Sequence, residues 1–246
     1  MKDKLKASAI HLLLSTIVIS FVASLMLYFW FPSPFLGVTN FKEIALLLIA
    51  IDVVLGPLLT FVVFNPTKKS LRFDLSVIVA IQVMALSYGL YTLYLAHPVY
   101  VTFYNKSFNV ISAQYARPDK ATLDKYKISK FSSPKLAFMP FDKDIKNKLF
   151  NEMLDGESDI EARTEYYQPY SIDQIIAKSL DTTKIFSEKN MDDASRKFLE
   201  KNSTIDEFAF FPLVNGGSAN GIIVLDKKTG KPVTMIKTNP WKYVKK

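Results

Sequence analysis

The residue whose chemistry fits its surroundings least is Asp52, which lies within an otherwise apolar run at residues 43–64. A carboxylate near the middle of a bilayer costs roughly 3 kcal/mol on insertion scales, so it must be protonated, paired or turned toward other helices. Gly56 and Thr60 follow at intervals of four, which places the three residues on one stripe of a helix. Such small and polar stripes let membrane helices approach closely. Pro57 lacks an amide hydrogen and should bend the helix.

Asp52 admits three functional interpretations. It could join two helices of the same protein, for example by bonding to Gln82, or it could contact a membrane helix of a partner. It could also serve proton or ion transport, although one embedded acid makes a poor pathway. An intramembrane aspartyl protease would need two acids, and only Asp52 is deeply embedded in an apolar run.

The rest of the chain offers few catalytic or metal-binding groups. There is no Cys, which excludes thiol catalysis, Cys-ligated zinc and disulfides. The two histidines, His11 and His97, lie far apart in the sequence, which argues against a multi-histidine metal site within one chain. The glycine-rich stretch at residues 216–221 lacks the Gly-Lys-Ser/Thr of a phosphate loop, so it predicts a hairpin connection. The sequence therefore predicts a protein that is not an enzyme and has no cofactor or metal.

Three long apolar runs predict three transmembrane helices, at about residues 7–31, 43–64 and 75–96. Each run is near or above the roughly 20 residues that cross a hydrocarbon core. In the third run, Gln82 and Gly89 lie on a second stripe of small and polar residues, which predicts packing between helices or contact with a partner.

The basic residues predict the orientation of these helices. Lysines precede the first run, and the loop at residues 65–74 carries three more basic residues, whereas the loop between the first two runs has only Lys42. Positively charged loops stay in the cytoplasm. We therefore expect a multi-pass protein of the bacterial inner membrane with a cytoplasmic N-terminus and a periplasmic C-terminal domain.

The net charge of +8 does not indicate a nucleic-acid partner. Residues 1–97 hold seven of the 31 basic and four of the 23 acidic residues, which leaves 24 and 19, a mild excess of five, for the rest. The basic residues near the apolar runs are explained by topology, and no clustered basic face is evident. Lipid of the inner membrane is expected to contact the chain, and nucleic acid is not.

The sequence predicts a three-span membrane domain at residues 1–97, followed by an α+β domain at residues 98–246. Runs rich in Val, Phe, Tyr and Ile predict strands on both sides of the breaks at residues 105–106 and 227–230, and we expect a mostly antiparallel sheet. Residues 142–156 and 190–202 predict amphipathic helices. A cluster of tyrosines near Pro169 could form a partner-binding surface or pack in the core: Tyr166, Tyr167 and Tyr170.

The central stretch resembles the type IV pilin accessory proteins of the TfpX/TfpZ group. The similarity rests on D-x-x-L-G-P-L-L-T beginning at Asp52, then K-x-x-x-x-D-L, then I-Q-x-x-A-L-x-Y-G, and P-V-Y after the last apolar run. It extends to a D-x-x-T-G hairpin followed by N-P-W at residues 239–241, and it is strongest over residues 51–100. The chain departs from the pattern at His97, where the resemblance implies Arg; a histidine is mostly neutral above a pKa near 6.5.

This resemblance implies an inner-membrane protein that supports the level, stability or surface assembly of a cognate major pilin, without catalysis. A pilin before assembly has one membrane helix and a periplasmic head, so both halves of the chain could contact it. The alternative is a membrane-anchored sensor that binds a ligand in its periplasmic domain. That alternative predicts a cytoplasmic output, for which only the N-terminus and the 65–74 loop are available.

Overall fold

The structure is a computed structural model that describes residues 1–39, 41–116, 134–140, 143–156, 159–187, 192–202 and 204–243. Its contacts divide the chain into two compact units. The first unit contains Met1–Phe31 and Asn40–His97, and the second contains Pro32–Thr39 and Pro98–Lys246. The short connection after the first helix therefore belongs with the C-terminal part of the chain.

The first unit consists of helices, and three of its helical segments are long and apolar enough to cross a membrane. Helix α1 spans Lys2–Phe29. The second segment is built from α2 (Phe41–Ile49), a π-helical turn (Ala50–Leu55) and α3 (Gly56–Val63). Helix α4 spans Leu71–Ala96. The expectation of three N-terminal apolar helices is confirmed, although α1 and α4 each begin about one turn earlier than the apolar pattern because their polar first turns are also helical.

The second segment lies between the other two helices. Helix α1 packs along α3 and the π-helical turn, and α4 packs along α2 and α3. Direct packing between α1 and α4 is slight within the part of the chain that the structure describes. This arrangement leaves a space between α1 and α4, with the middle of the second segment as its floor.

The second unit is built on a seven-stranded sheet in the order β4-β3-β1-β2-β5-β6-β7. The strands are β1 (Pro98–Tyr104), β2 (Ser107–Ser112), β3 (Lys135–Phe138), β4 (Gln168–Pro169), β5 (Phe208–Asn215), β6 (Ser218–Asp226) and β7 (Pro232–Ile236). Its helices are α5 (Ala113–Ala116), α6 (Lys143–Leu154), α7 (Thr182–Ile185) and α8 (Asp193–Lys201).

The prediction of a mostly antiparallel sheet was wrong, because the sheet is mixed. Neighbouring hairpin strands pair antiparallel, but β1 pairs parallel with β3, and β2 pairs parallel with β5. Parallel pairing requires a long crossover between the two strands. The roughly ninety residues between β2 and β5 supply one, and a one-dimensional pattern of strands does not reveal it.

The predicted hairpin turns are present where the backbone requires positive φ. The β1–β2 turn has Asn105 and Lys106 at φ of 46° and 70°, and the β5–β6 turn has Gly216 and Gly217 at 56° and 76°. Two-residue turns with positive φ match the twist of paired strands. The glycine-rich stretch at residues 216–221 therefore forms a hairpin connection and the start of a strand, as predicted.

Both faces of the sheet are buried, which follows from the period-two alternation of a strand. One face carries a continuous aromatic and aliphatic cluster that includes Phe103, Phe108 and Phe211. The other face carries two clusters, one around Tyr100 under α6 and one around Phe210 under α7 and α8. The core of this unit is thus a sandwich of apolar side chains on both sides of one sheet.

Candidate functional site

The residues predicted around Asp52 lie in the first unit, where the second segment changes its helical form. Residues 50–55 form a π-helical turn, and the amide of Gly56 donates to the carbonyl of Ile51 five residues back. Pro57 has no amide hydrogen to continue the α-helical pattern, so widening the helix before it is a way to accommodate the proline. Single π turns inside helices are frequent at functional sites.

Asp52 occupies this turn and is buried in the first unit. It is 5% exposed, and its Oδ2 has no hydrogen-bond partner among the described residues. Its backbone carbonyl accepts a hydrogen bond from Nε2 of Gln82 on α4, at 3.2 Å. Asp52 and Gln82 are therefore brought together as the sequence suggested, but through the backbone of Asp52 in that bond.

His11 of α1 connects all three segments. Its Nε2 lies 2.8 Å from Oε1 of Gln82, and its Nδ1 lies 2.6 Å from Oγ1 of Thr60. Because Oε1 of Gln82 can only accept, Nε2 of His11 donates to it, and Nδ1 shares a hydrogen bond with the Thr60 hydroxyl. A chain of hydrogen bonds thus runs from Thr60 through His11 and Gln82 to the carbonyl of Asp52.

His11 belongs to a polar stripe on α1 that the sequence analysis did not recognise. Lys4, Ser8, His11 and Ser15 follow at intervals of four, three and four, which is the spacing of one helix face. Oγ of Ser8 donates to the carbonyl of Pro57 at 2.8 Å, and Nζ of Lys4 donates to the carbonyl of Val62 at 3.3 Å. The spacing of polar residues in this first apolar run was the signal that could have identified His11.

The two predicted glycines lie where helices approach most closely. A Cβ on Gly56 would come 2.1 Å from Nε2 of Gln82, and a Cβ on Gly89 would come 2.4 Å from Cδ2 of Leu48. Gly89 is buried, and so are Gly56, Pro57 and Thr60. All six predicted membrane residues therefore lie at contacts between helices of the first unit, where a side chain at either glycine would displace its neighbour.

A groove of about 510 Å³ runs between α1 and α4 beside this network. Asp52 and Thr60 lie at its floor, and His11 and Gln82 are also part of its lining. The walls are mostly aliphatic: Ala7, Ile10, Leu14, Val18, Ile19, Leu75, Val79, Val83 and Leu86. The site can therefore pack apolar side chains and offer a hydrogen bond from its floor.

The hydrogen-bonded chain reaches the carbonyl of Asp52, and Oδ2 of its carboxyl group is left without a partner among the described residues. The described residues contain no group of three or more His, Cys, Asp or Glu that could hold a metal ion. What this arrangement can do chemically is hold helices together and present a buried carboxyl group to the groove.

The three tyrosines predicted as a partner surface lie in the second unit, in different surroundings. Tyr167 is fully buried, stacks edge-on against Tyr100 at 5.0 Å and donates to the carbonyl of Glu161. Tyr170 packs against Phe108, and its hydroxyl donates to the carbonyl of Gly230 at 3.2 Å. Burial raises the pKa of Tyr170 far above its ordinary range, so its hydroxyl stays protonated.

Tyr166 is half-buried and lies beside two cations, with Nζ of Lys148 and Cζ of Arg163 each 5.8 Å from its ring centroid. Tyr166 and Tyr170 therefore do not share one environment, and the side chain of Tyr167 is fully enclosed. A partner-binding role for this cluster stays a prediction, with Tyr166 and Tyr170 as the members that retain some exposure.

His97 follows α4 and belongs to the first unit. It is 3% exposed, its ring stacks on Trp30 at 5.1 Å, and its Nδ1 bonds to the carbonyl of Tyr94. A second contact joins Trp30 and Tyr94 at 5.4 Å. His97 therefore serves to close an aromatic cluster that ties the end of α1 to the end of α4.

Comparison with known proteins gives matches along nearly the whole chain. A fimbrial assembly protein of serogroup E1 from Dichelobacter nodosus is 31% identical over 232 residues, which cover 90% of each chain. The protein of serogroup I from the same organism is 30% identical with the same coverage. The protein of serogroups C1 and C2 is 41% identical over 109 residues, which cover 44% of this chain and 83% of that one.

The family model described as fimbrial assembly protein FimB matches residues 1–39, which include α1 and the polar stripe that carries His11. No solved structure matches the chain.

Proposed function

Because the chain belongs to the family of fimbrial assembly proteins, we propose that it acts in type IV pilus assembly as a membrane accessory protein that binds and stabilises a cognate pilin. The family expectation drawn from the sequence motifs is thereby confirmed. The observation that carries the proposal is the 31% identity over 90% of both chains with a fimbrial assembly protein.

The two units suit a partner that has one membrane helix and a soluble head. The first unit holds three helices around a groove with a polar floor, and the second unit is a folded domain with its own core. Each unit can bind such a partner modestly, because the second contact becomes intramolecular once the first has formed. Tyr166 and Tyr170 are the residues that we propose for contact with the head.

The proposed location is the bacterial inner membrane, with the N-terminus in the cytoplasm and the second unit in the periplasm. The bond from Lys4 to the carbonyl of Val62 brings the start of α1 beside the end of α3. The basic residues of the first turns and of the following loop thus gather at one end of the bundle, where the positive-inside rule places the cytoplasm.

The proposed role is non-catalytic. Thr60, His11 and Gln82 are engaged in hydrogen bonds between helices, and assembly requires recognition of a subunit rather than bond chemistry. Such a protein would affect how much pilin survives and reaches the surface.

Deleting the gene and restoring it on a plasmid tests the role. Blots of cell extracts and of sheared surface fractions should show less pilin, fewer pili or both after deletion, and recovery after restoration. If total pilin and surface pili both stay unchanged after deletion, the proposed function is refuted.

The topology can be tested with single cysteines, since the chain has none of its own. A cysteine in the β6–β7 turn (Lys228→Cys) should react with a membrane-impermeant maleimide in spheroplasts. A cysteine before α4 (Ser70→Cys) should react only after the inner membrane is lysed. The reverse pattern would overturn the proposed orientation while leaving the role in assembly open to its own test.

A further inference from the structure

The floor of the groove between α1 and α4 holds a carboxyl oxygen whose hydrogen bonding is incomplete. Oδ2 of Asp52 has no partner among the described residues, although 95% of the residue is buried. A buried polar atom without a partner destabilises the folded state, because it has lost its hydrogen bonds to water. An occupant of the groove that donates a hydrogen bond to this atom would remove that destabilisation.

The groove has the dimensions of one face of a helix. Its lining extends from Ala7 to Ile19 on α1 and from Leu75 to Leu86 on α4. At 1.5 Å per residue these stretches measure roughly 17–18 Å, or about three turns. With a volume of about 510 Å³ and aliphatic walls, the groove can take several apolar side chains that follow one another along such a face.

We infer that this groove receives the membrane helix of the pilin, and that a residue of that helix donates a hydrogen bond to Oδ2 of Asp52. The inference rests on the proposed pilin binding and names the site where it occurs. The apolar walls would take the aliphatic face of the helix, and Asp52 would select helices that carry a donor at its depth.

The donor requirement separates a protein helix from lipid. An acyl chain fits aliphatic walls but has no hydrogen-bond donor along its length. A membrane helix can bring a hydroxyl, amide or ammonium group to the middle of the bilayer, where such groups bond across helices. The chemistry of Asp52 therefore favours a helix over a phospholipid tail as the occupant.

A second copy of this chain would bring several donors that are already engaged, and the experiment below distinguishes it from the pilin. Four hydroxyl groups on the outer faces of α1 and α4 donate to the carbonyl four residues back in their own helices, those of Thr16, Ser24, Ser76 and Thr92. A hydroxyl has one hydrogen to donate. These residues of a neighbouring copy would have to give up a bond in order to serve Asp52.

Photocrosslinking in cells tests the inference with matched neighbouring positions. A photoreactive amino acid replaces Leu14 or Val83, which line the groove, and in control chains it replaces Leu13 or Met84. The four side chains are similarly exposed, at 58%, 56%, 61% and 63%. The full-length chain is produced together with its tagged pilin, and adducts are identified by mass spectrometry.

The expected result is an adduct with the membrane helix of the pilin that is at least about five-fold stronger from Leu14 and Val83 than from Leu13 and Met84. Equal yields from both pairs would overturn the inference. So would groove adducts that contain only lipid or only a second copy of this chain.

A second arm of the experiment tests the role of Asp52 at this site. In the Leu14-labelled chain, Asp52→Leu should lower the pilin adduct about five-fold or more, the factor that corresponds to about 1 kcal/mol. Asp52→Asn, which keeps an oxygen that accepts, should retain most of it. If both variants cross-link as well as Asp52 does, the hydrogen bond to Asp52 is refuted. If Asp52→Leu fails to accumulate in the membrane, the inference is decided by the adduct yields of Asp52→Asn and of the four labelled positions (Leu13, Leu14, Val83 and Met84) in the chain that retains Asp52.

Failure of the inference can be told apart from failure of the proposed function. A fifth labelled position, Trp241 in the second unit, is 49% exposed and lies far from the groove in the sequence. If deletion lowers pilin and Trp241 captures it, but the groove positions do not, the inference alone fails. If deletion has no effect and no position captures pilin, the proposed function fails as well.

Discussion

The two units of this protein differ in which side chains they turn outward. In the first unit, polar residues such as Asp52 and Thr60 are buried, whereas large apolar side chains such as Leu13 and Val83 face outward. In the second unit, Phe103, Phe108 and Phe211 fill the core. Its described turns hold polar side chains at the surface.

This difference shows that the solvent around a unit, water or lipid, decides which side chains stabilise the unit when they are buried. In water, apolar surface is driven inward. In lipid, apolar side chains gain little from burial, and helices associate through close packing and hydrogen bonds. The specificity of the first unit for another helix is therefore expected to come from its buried polar groups and glycines, whereas exposed side chains outside the groove, such as Leu13, face the lipid.

The largest effect should come from the aromatic core of the second unit. Phe211 is fully buried and contacts the rings of Phe103 and Phe108 edge-on at 5.6 and 5.5 Å. Phe211→Ala should lower the free energy of unfolding by about 3–5 kcal/mol, because it removes apolar burial and leaves a cavity. Thermal unfolding of the purified full chain, followed by near-ultraviolet circular dichroism, measures this effect.

Val233 provides the control, since it lies on the same sheet and is 47% exposed. Val233→Ala should change stability far less. If the two variants lost similar stability, the second unit would not depend on its apolar core in the way that the comparison requires.

A smaller effect is expected where helices of the first unit approach closely. A Cβ at Gly89 would lie 2.4 Å from Leu48, so Gly89→Val should push α4 away from α2 and cost roughly 1–3 kcal/mol. Denaturation of the full chain by SDS, followed by Trp30 fluorescence, measures this cost. Ala80→Val on the exposed side of α4 is the matched control and should be nearly neutral. Equal losses would show that the substitution acts through the helix itself and not through the contact.

The sequence was informative about the first unit because its signals are local. The three helices follow from apolar length, and the structure buries the predicted stripe of Asp52, Gly56 and Thr60. His11 was missed because a single histidine near an apolar run looks like an interfacial residue, and its partners Thr60 and Gln82 are 49 and 71 residues away.

In the second unit, hairpins could be predicted and the sheet as a whole could not. Asn105 and Lys106 mark a turn within a few residues of both paired strands. Strand β3 is four residues long, and the parallel pair of β2 and β5 joins segments about one hundred residues apart. Such pairing depends on how the intervening chain folds back, which the period of the sequence does not encode. The groove between α1 and α4 could not be predicted from the sequence either, because it exists only where α1 and α4 fail to pack against each other.

A polar side chain near the surface of the second unit can be compared with the buried polar side chains of the first unit. Asp192 caps α8, and its Oδ1 accepts from the amide of Ser195 at 2.9 Å. Asp192→Ala should cost about 1 kcal/mol, the usual effect of losing such a cap. Asp193→Ala one residue later is exposed and should cost clearly less. A cap that proved neutral would mean that polar groups at the termini contribute nothing to this unit.

The contribution of Asp192 should also depend on pH. Burial by itself raises the pKa of its carboxyl group, but the neighbouring Thr238 and the hydrogen bond from the Ser195 amide outweigh burial and hold the pKa below its ordinary value. A lowered pKa in the folded state stabilises the protein above the unfolded pKa of about 3.9, and this stabilisation is lost as pH falls through the folded value. The difference between the original chain and Asp192→Ala should therefore be full at pH 7 and shrink below about pH 4.

The smallest predicted effect tests whether burial in a membrane makes one hydrogen bond worth more than in water. Thr60→Val keeps the shape of the side chain and removes the bond to Nδ1 of His11. Cross-helix hydrogen bonds in a membrane protein average about 0.6 kcal/mol, because the unfolded helix also finds partners. Thr16→Val is the control, since its hydroxyl bonds only within α1, at 2.8 Å to the carbonyl of Leu12. A loss of about 0.6 kcal/mol at Thr60 and a smaller loss at Thr16 would show that each bond of the network contributes modestly to stability. The main role of the network would then be to fix the positions of the helices and to hold Asp52 at the groove. A loss of several kcal/mol at Thr60 would instead make the network the main source of stability in the first unit.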